Sequence, residues 1–219
     1  MKINYIIYAI GLHMTIELQN AGKKFNRDWI FRHINFCFKA GSSTAITGPN
    51  GSGKSTLLQA IALAIRVNEG KCLWFQDNGK LIQEDEANRY LSIVAPYLEV
   101  IEEMTATEFL QFHAQFKPLL PQLTIAEILE HIGLSGAAHK QIRYYSSGMV
   151  QRIKLAQAIF SNTPVLLLDE PCTNLDAEGY TLYHHLIENY TINKTIIVSS
   201  NDIAEMDFCQ QKISIIDFK

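Results

Sequence analysis

The sequence predicts an α/β fold whose core is a mainly parallel sheet, and three stretches predict it. The short run Ser43–Thr47 leads into GPNGSGKST and then into an apolar-rich segment of helical character. Val165–Leu168 is a continuous apolar run of the kind buried on both faces of a parallel sheet. Lys194–Val198 is a third strand-like run. Polar residues follow each of the three, where doubly wound sheets place their ligands.

The totals narrow the class. A chain of 219 residues buries a substantial core without covalent staples, and 47% hydrophobic with 19% charged residues is an ordinary globular composition. The formal charge of -3 argues against a dedicated nucleic-acid binder, which would present a basic face. Cys37, Cys72, Cys172 and Cys209 are scattered without a CxxC pair, which fits a reducing cytoplasm and speaks against a structural metal. The opening MKINYIIYAIGLHM is apolar, too short to span a bilayer and without a clear cleavage site. It reads as a weak peripheral anchor, an extra strand or a start-site artefact. The last two are favoured because MTIEL from Met14 already begins like a strand. No other segment approaches membrane-spanning length without charge, so the chain alone is expected to be neither pore nor carrier.

The most specific signal is GxxxxGKS, made by Gly48, Pro49, Asn50, Gly51, Ser52, Gly53, Lys54 and Ser55, with Thr56 next. It sits between a strand-like and a helix-like segment, as its mechanism requires. Glycines allow a tight loop whose successive N–H groups, together with the helix start, surround a polyphosphate. Lys54 brings a mobile cation to the outer phosphates, and the Ser55 hydroxyl can ligate Mg²⁺. The stretch predicts nucleoside triphosphate binding. Leu57, Leu58, Ile61 and Leu63–Ile65 are expected to pack the helix that follows.

A second stretch, NTPVLLLDEPCTNLD, supplies carboxylates at a strand end. Asp169 is placed to engage the Mg²⁺ of the nucleotide, directly or through water. Glu170 is placed to orient or deprotonate an attacking water.

These residues resemble the ATP-binding cassette family over nearly the whole chain. YYSSGMVQRIKLAQAIF is similar to the family signature LSGGQ and its following helix. Ser146 and Gly148 are kept, Ser147 replaces the first glycine and Met149 the glutamine. The resemblance implies a P-loop NTPase core with ATP and Mg²⁺ as ligands, an antiparallel N-terminal β subdomain and a helical lobe at about residues 96–145. All of this falls within a single ATP-binding domain spanning 1–219. It also implies a head-to-tail dimer, homodimeric or heterodimeric, in which each signature closes on the nucleotide of the opposite phosphate loop. Asp176 in TNLD matches the loop that crosses that interface. In KKFNRDWIFRHINFCF, Phe25 best fits the aromatic that stacks on adenine, with Trp29 the nearby competitor; Ile34, Phe36 and Phe38 read as one face of a strand.

Two positions depart from the family pattern. The resemblance puts a glutamine where this chain has Tyr97, in NRYLSIVAPYLEV. A phenol is longer and more rigid than a carboxamide and less suited to Mg²⁺, so Tyr97 is alternatively a packing or docking residue. The family's switch histidine is replaced by Asn201, in IIVSSND. Its amide still donates to a γ-phosphate oxygen but cannot become cationic.

Between Pro96 and Tyr145 the periodicity is helical. Thr105 and Glu108 spell a capping box, and Ile125, Ile128, Leu129 and Ile132 form a stripe ended by Gly133. Leu182, Leu186 and Ile187 predict a buried stripe after Asp176, with a short helix near Ile203–Phe208 and a last strand near Ile213–Ile216. The adjacent His184 and His185 read as local structure. The family implies the cytoplasmic ATPase subunit of a transporter, held peripherally at the inner membrane face by a separate permease. A weaker resemblance points to small exporter cassettes of the haem-exporter type. A hydrolysis-impaired regulatory or structural partner is the rival reading. A nucleic-acid machine and a small-molecule kinase stand further back.

Overall fold

The computed structural model describes residues 13–219; the opening residues 1–12, with their three alternative readings, lie outside the described residues. In chain order the elements are β1 (Met14–Phe25), β2 (Asp28–Phe38), β3 (Ser43–Thr47), α1 (Lys54–Ile61), β4 (Glu69–Gln76), β5 (Leu81–Ile82) and β6 (Leu91–Val94). They continue with α2 (Ala106–Ala114), α3 (Ile125–His131), α4 (Ser147–Ile159), β7 (Val165–Asp169), α5 (Ala177–Tyr190), β8 (Thr195–Ser199) and β9 (Gln211–Ser214).

Two sheets result. The N-terminal sheet is antiparallel in the order β2-β1-β4-β5, and the central sheet runs β6-β7-β8-β3-β9 with every pairing parallel. The central strands read as unbroken apolar runs because both of their faces are covered. Ile46, Val165, Leu167 and Ile197 face the antiparallel sheet and α1, in a core with Phe31, Phe38 and Trp74. Ala45, Leu166, Leu168, Ile196 and Val198 face α4, α5 and the helices of the 96–145 region. Alternation along one strand therefore feeds two different cores.

Register decides where the site forms. Ile46 and Asp169 both pair with Ser199, so the carboxyl ends of β3, β7 and β8 finish abreast. The ladder continues one residue further, with Glu170 N–H donating to Ser199 O at 2.9 Å and Ser200 N–H to Ile46 O at 3.2 Å. Three loops are thereby held side by side.

The helical region is capped as the sequence predicts at Thr105–Glu108, and Thr124–Glu127 makes a second capping box. Gly133 closes α3 with φ 70°. Among the described residues no helix is long and apolar enough to cross a membrane.

Four local expectations change. The helix after the phosphate loop stops at Ile61, because Leu63 takes φ 57° and the Trp74 indole N–H caps the Ile61 carbonyl at 2.9 Å. Leu63 and Ile65 still pack on the core from outside the helix. The last strand is Gln211–Ser214, and Ile215 and Ile216 belong to a 3₁₀ turn, with Ile215 buried against the core. The helical turn expected over Ile203–Phe208 is limited to Ile203–Glu205. On α5, Leu186 and Ile187 are buried and Leu182 only half-buried, while Tyr183, absent from the expected stripe, is fully enclosed.

Candidate functional site: a divided nucleotide cleft

The phosphate loop joins β3 to α1. Gly53 holds φ 101° at the N-cap of α1, and a Cβ there would lie 2.2 Å from Ile30 Cγ2, so only glycine fits. Gly51, at φ 74°, has nothing near its Cβ direction, which leaves the loop open on the cleft side. Lys54 is buried, and its ammonium donates to the carbonyls of Gly48 at 2.8 Å and Pro49 at 3.3 Å. Among the described residues it has no carboxylate partner. A cleft of about 340 Å³ is lined by Asn50, Gly51, Gly53, Lys54, Ser55, Thr56, Phe25 and Glu170. It thus gathers the loop, an aromatic and an acid.

Asp169 ends β7 and is almost fully enclosed. Neither carboxylate oxygen has a hydrogen-bond partner among the described residues, and the Ser52 hydroxyl of the phosphate loop is likewise buried and unpaired. Buried charge without a partner is costly and calls for a cation or ordered ligand. The donor set of Asp169 and Ser55, with the amide-rich loop, therefore fits a polyphosphate carrying Mg²⁺.

Glu170 adopts φ 45°, rare for a non-glycine residue. The conformation is over-determined: its N–H is held by Ser199 O, and its carbonyl accepts Thr173 N–H at 3.2 Å and Thr173 Oγ1 at 2.8 Å. A side chain fixed in such backbone is typical of a working site. From the neighbouring strand end, Asn201 Nδ2 donates to Asn50 Oδ1 at 2.8 Å, which ties the loop after β8 to the phosphate loop.

The two aromatic candidates separate. Phe25 is 49% exposed, lines the cleft and has Lys23 Nζ 5.1 Å from its ring centroid. Trp29 instead packs between Arg32, 4.4 Å from the ring, and Lys24. Tyr97 is 47% exposed and lies in the loop after β6, next to the end of β7. Partial burial pushes its phenol above the ordinary tyrosine range; a hydrogen bond with the Gln59 side chain works against that, and the Asp169 charge adds to it. Tyr97 therefore lies close to both the acidic strand end and Gln59 of α1, a residue the sequence does not single out. The one available signal was spacing, since Gln59 follows Ser55 by one helical turn on the same face.

The signature-like segment lies elsewhere. Ser146 caps α4, accepting Met149 N–H at 3.3 Å. Ser146, Ser147 and Gly148 line a second cleft of about 580 Å³ together with Arg152, Asn174 and Asp176. A Cβ on Gly148 would sit 3.2 Å from Asn174 O, so a small residue lets the two loops close together. Asp176 caps α5 through Gly179 N–H at 2.9 Å. The two clefts share no lining residue. The structure thus brings together Phe25, the phosphate loop, Glu170 and Asn201, with Asp169 and Tyr97 at their edge. It leaves Ser146, Ser147, Gly148 and Asp176 apart.

A family model described as ABC transporter matches residues 31–173. The cytochrome c biogenesis ATP-binding export protein CcmA of Rhizobium johnstonii is 33% identical over 196 residues, covering 86% of this chain and 87% of the relative. An uncharacterized ABC transporter ATP-binding protein of Bacillus subtilis, YxlF, is 35% identical over 168 residues, or 75% of this chain and 55% of its own. Among solved structures, a dimeric ATP-binding cassette in a post-hydrolysis state with ADP and Pi bound superposes with a TM-score of 0.77 at 25% identity. It covers 91% of this chain and 94% of that one. A bacterial Atm1-family ABC exporter with ATP bound shares the fold, with a TM-score of 0.77 at 20% identity over 93% of this chain and 37% of its own.

Proposed function

The chain belongs to the ABC transporter family, and on that premise we propose that it is an ATP-hydrolysing subunit that drives a separate membrane permease through ATP-dependent closure of a cassette dimer. The division of the site carries this reading. One cleft holds the phosphate loop and Glu170, and another holds Ser146–Gly148 and Asp176. Neither is complete alone, and two chains packed head to tail set each signature against the opposite phosphate loop.

Within the closed site the roles follow from position. The loop amides and Lys54 bind the phosphates, the ammonium leaving the Gly48 and Pro49 carbonyls for stronger anionic acceptors. Ser55 and Asp169 would hold Mg²⁺, which would supply positive charge against the phosphoryl oxygens. Phe25 offers its exposed face to the adenine. Glu170, fixed by its strained backbone, orients the attacking water and accepts its proton. Asn201 donates an amide N–H to the γ-phosphate in place of an imidazole.

Coupling to a permease is supported by the apolar surface of the helical region. Phe112 and Phe116 pack edge to face at 5.1 Å on the last turn of α2 and the residues after it, and both are exposed, as is Tyr144. The similarity to an export protein favours export and a place at the inner membrane face. Asn201 and Tyr97 also support a second reading, a weakly hydrolysing cassette paired with a more active one.

Calorimetry with Mg-ATP tests the foundation: Lys54→Ala should weaken binding by about tenfold or more, the scale of losing charge-assisted contacts. Binding unaffected by that change would refute the phosphate-loop reading. Glu170→Gln should abolish turnover and accumulate an ATP-bound dimer in light scattering. Affinity capture from native membranes should retrieve a multispan protein that stimulates turnover; a soluble partner instead would favour the second reading.

A further inference from the structure

We propose that Glu205 is a positioning residue that locks the loop carrying Glu170 to the loop carrying Asn201. Glu205 sits in the 3₁₀ turn after β8 and is only 4% exposed. Its Oε1 accepts Cys172 N–H at 2.7 Å, two residues beyond Glu170. Its Oε2 accepts the Ser200 hydroxyl, one residue before Asn201. Ser200 Oγ in turn accepts Asp202 N–H at 2.9 Å. One carboxylate thus spans the two strand-end loops behind the cleft.

The arrangement is not what stability alone would select. Among the described residues no cation pairs with Glu205, and a buried carboxylate held only by neutral donors is expensive to desolvate. Burial, with the charges of Asp202 and Glu170 adding, opposes ionisation; the Ser200 and Cys172 hydrogen bonds favour it. An apolar side chain would fill the same space at lower cost but could not join the loops.

Its own backbone is anchored as well. The hydroxyl of fully buried Tyr183 on α5 donates to Glu205 O at 2.9 Å. On the opposite side, Gln151 Nε2 of α4 donates to Pro171 O at 2.6 Å. The loop from Glu170 to Thr173 is therefore pinned by α4 on one side and by Glu205 on the other. The Asn201 loop is tied through Ser200 to the same carboxylate. Displacing either loop strains a bond to the other, so Glu170 and Asn201 keep a common geometry.

The catalytic consequence rests on the proposed ATPase reading, whereas the bridge itself does not. Two variants of similar or smaller volume, Glu205→Leu and Ser200→Ala, test both. Leucine removes both acceptor oxygens and leaves Cys172 N–H and the Ser200 hydroxyl proton unpaired; alanine removes that hydroxyl, together with the acceptor of Asp202 N–H. In the full chain without nucleotide, hydrogen–deuterium exchange should speed up in peptides covering 170–175 and 200–204 in both variants. Turnover should fall by about tenfold or more in each, the scale of losing a hydrogen bond to a charged group, with KM for ATP within about twofold. The double variant should lose less than the sum of the two single losses, since both remove the Glu205–Ser200 link, while each also removes one bond of its own, to Cys172 N–H and to Asp202 N–H. Unchanged exchange in both loops, or strictly additive losses in kcat, would overturn the proposal. If the wild-type chain has no turnover, the ATPase reading fails while the exchange arm still decides the bridge.

Discussion

Asn201 and Asn50, 151 positions apart, share a 2.8 Å hydrogen bond between their side-chain amides. Asn201, which the family resemblance sets in place of a histidine, therefore reaches the phosphate loop, and on the proposed reading its limitation is chemical rather than one of placement. An amide donates but never gains charge, so it gives less stabilisation as negative charge develops during phosphoryl transfer. Asn201→His should raise turnover, by up to about a hundredfold if this donor limits the chemical step. The variant's rate–pH profile should also gain an ionisation near about 6.5, the ordinary imidazole value, which the parent chain lacks at this position. Phosphate release measured across pH decides; an unchanged rate and profile would reject the limitation.

How much of this was legible in the sequence depends on separation along the chain. Gly48–Thr56 and Asp169–Glu170 declare themselves because their chemistry needs neighbouring residues flanked by strands and helices. The Thr105–Glu108 cap is legible for the same reason. Glu205 reads as an ordinary acid because its distant partner, Cys172, arrives only through the pairing of β7 with β8, and Ser200, five residues before it, is no recognisable spacing on its own. Gln59 is silent until β6 delivers Tyr97 beside it. The early end of α1 was hidden for a related reason, since the apolar run continues through Leu63 while its backbone has already turned. Apolar spacing reports packing, not φ.

Tyr97 offers a second test of the departures from the family pattern. Its phenol meets Gln59 and faces Asp169 from the end of β6, but a phenol hydroxyl is a poor partner for Mg²⁺. Tyr97→Gln restores a carboxamide at the site edge. Turnover should rise severalfold, to about tenfold, and half-saturation should need less Mg²⁺. Magnesium titrations at fixed ATP measure both effects. A loss of permease-stimulated turnover with unchanged basal rate would instead identify Tyr97 as a docking residue.

Lys194 gives the structure a pH signature away from the cleft. Its ammonium donates to Ile159 O at 2.9 Å and Ser161 O at 2.6 Å, closing the end of α4 from the start of β8. Burial lowers its pKa from 10.5 to about 7. Below pH 7 folded and unfolded chains both hold the proton, and this group contributes no pH dependence. Between pH 7 and 10.5 the unfolded chain binds more protons, so stability rises with pH, by at most about 1.4 kcal/mol per unit. Two thiols oppose this above pH 9, since those of buried Cys72 and half-buried Cys209 are each raised from 9.0 to about 12 and lose their stabilising effect as the unfolded thiols ionise. From pH 7 to 9 the Lys194 effect is free of the thiols and adds to those of Lys117 and Lys154, whose pKa values burial also lowers. Denaturant unfolding across that window should show the wild-type midpoint climbing, and Lys194→Met should flatten the climb while lowering stability through two unpaired carbonyls. Parallel slopes in the two proteins would show that Lys194 stays charged in the folded chain.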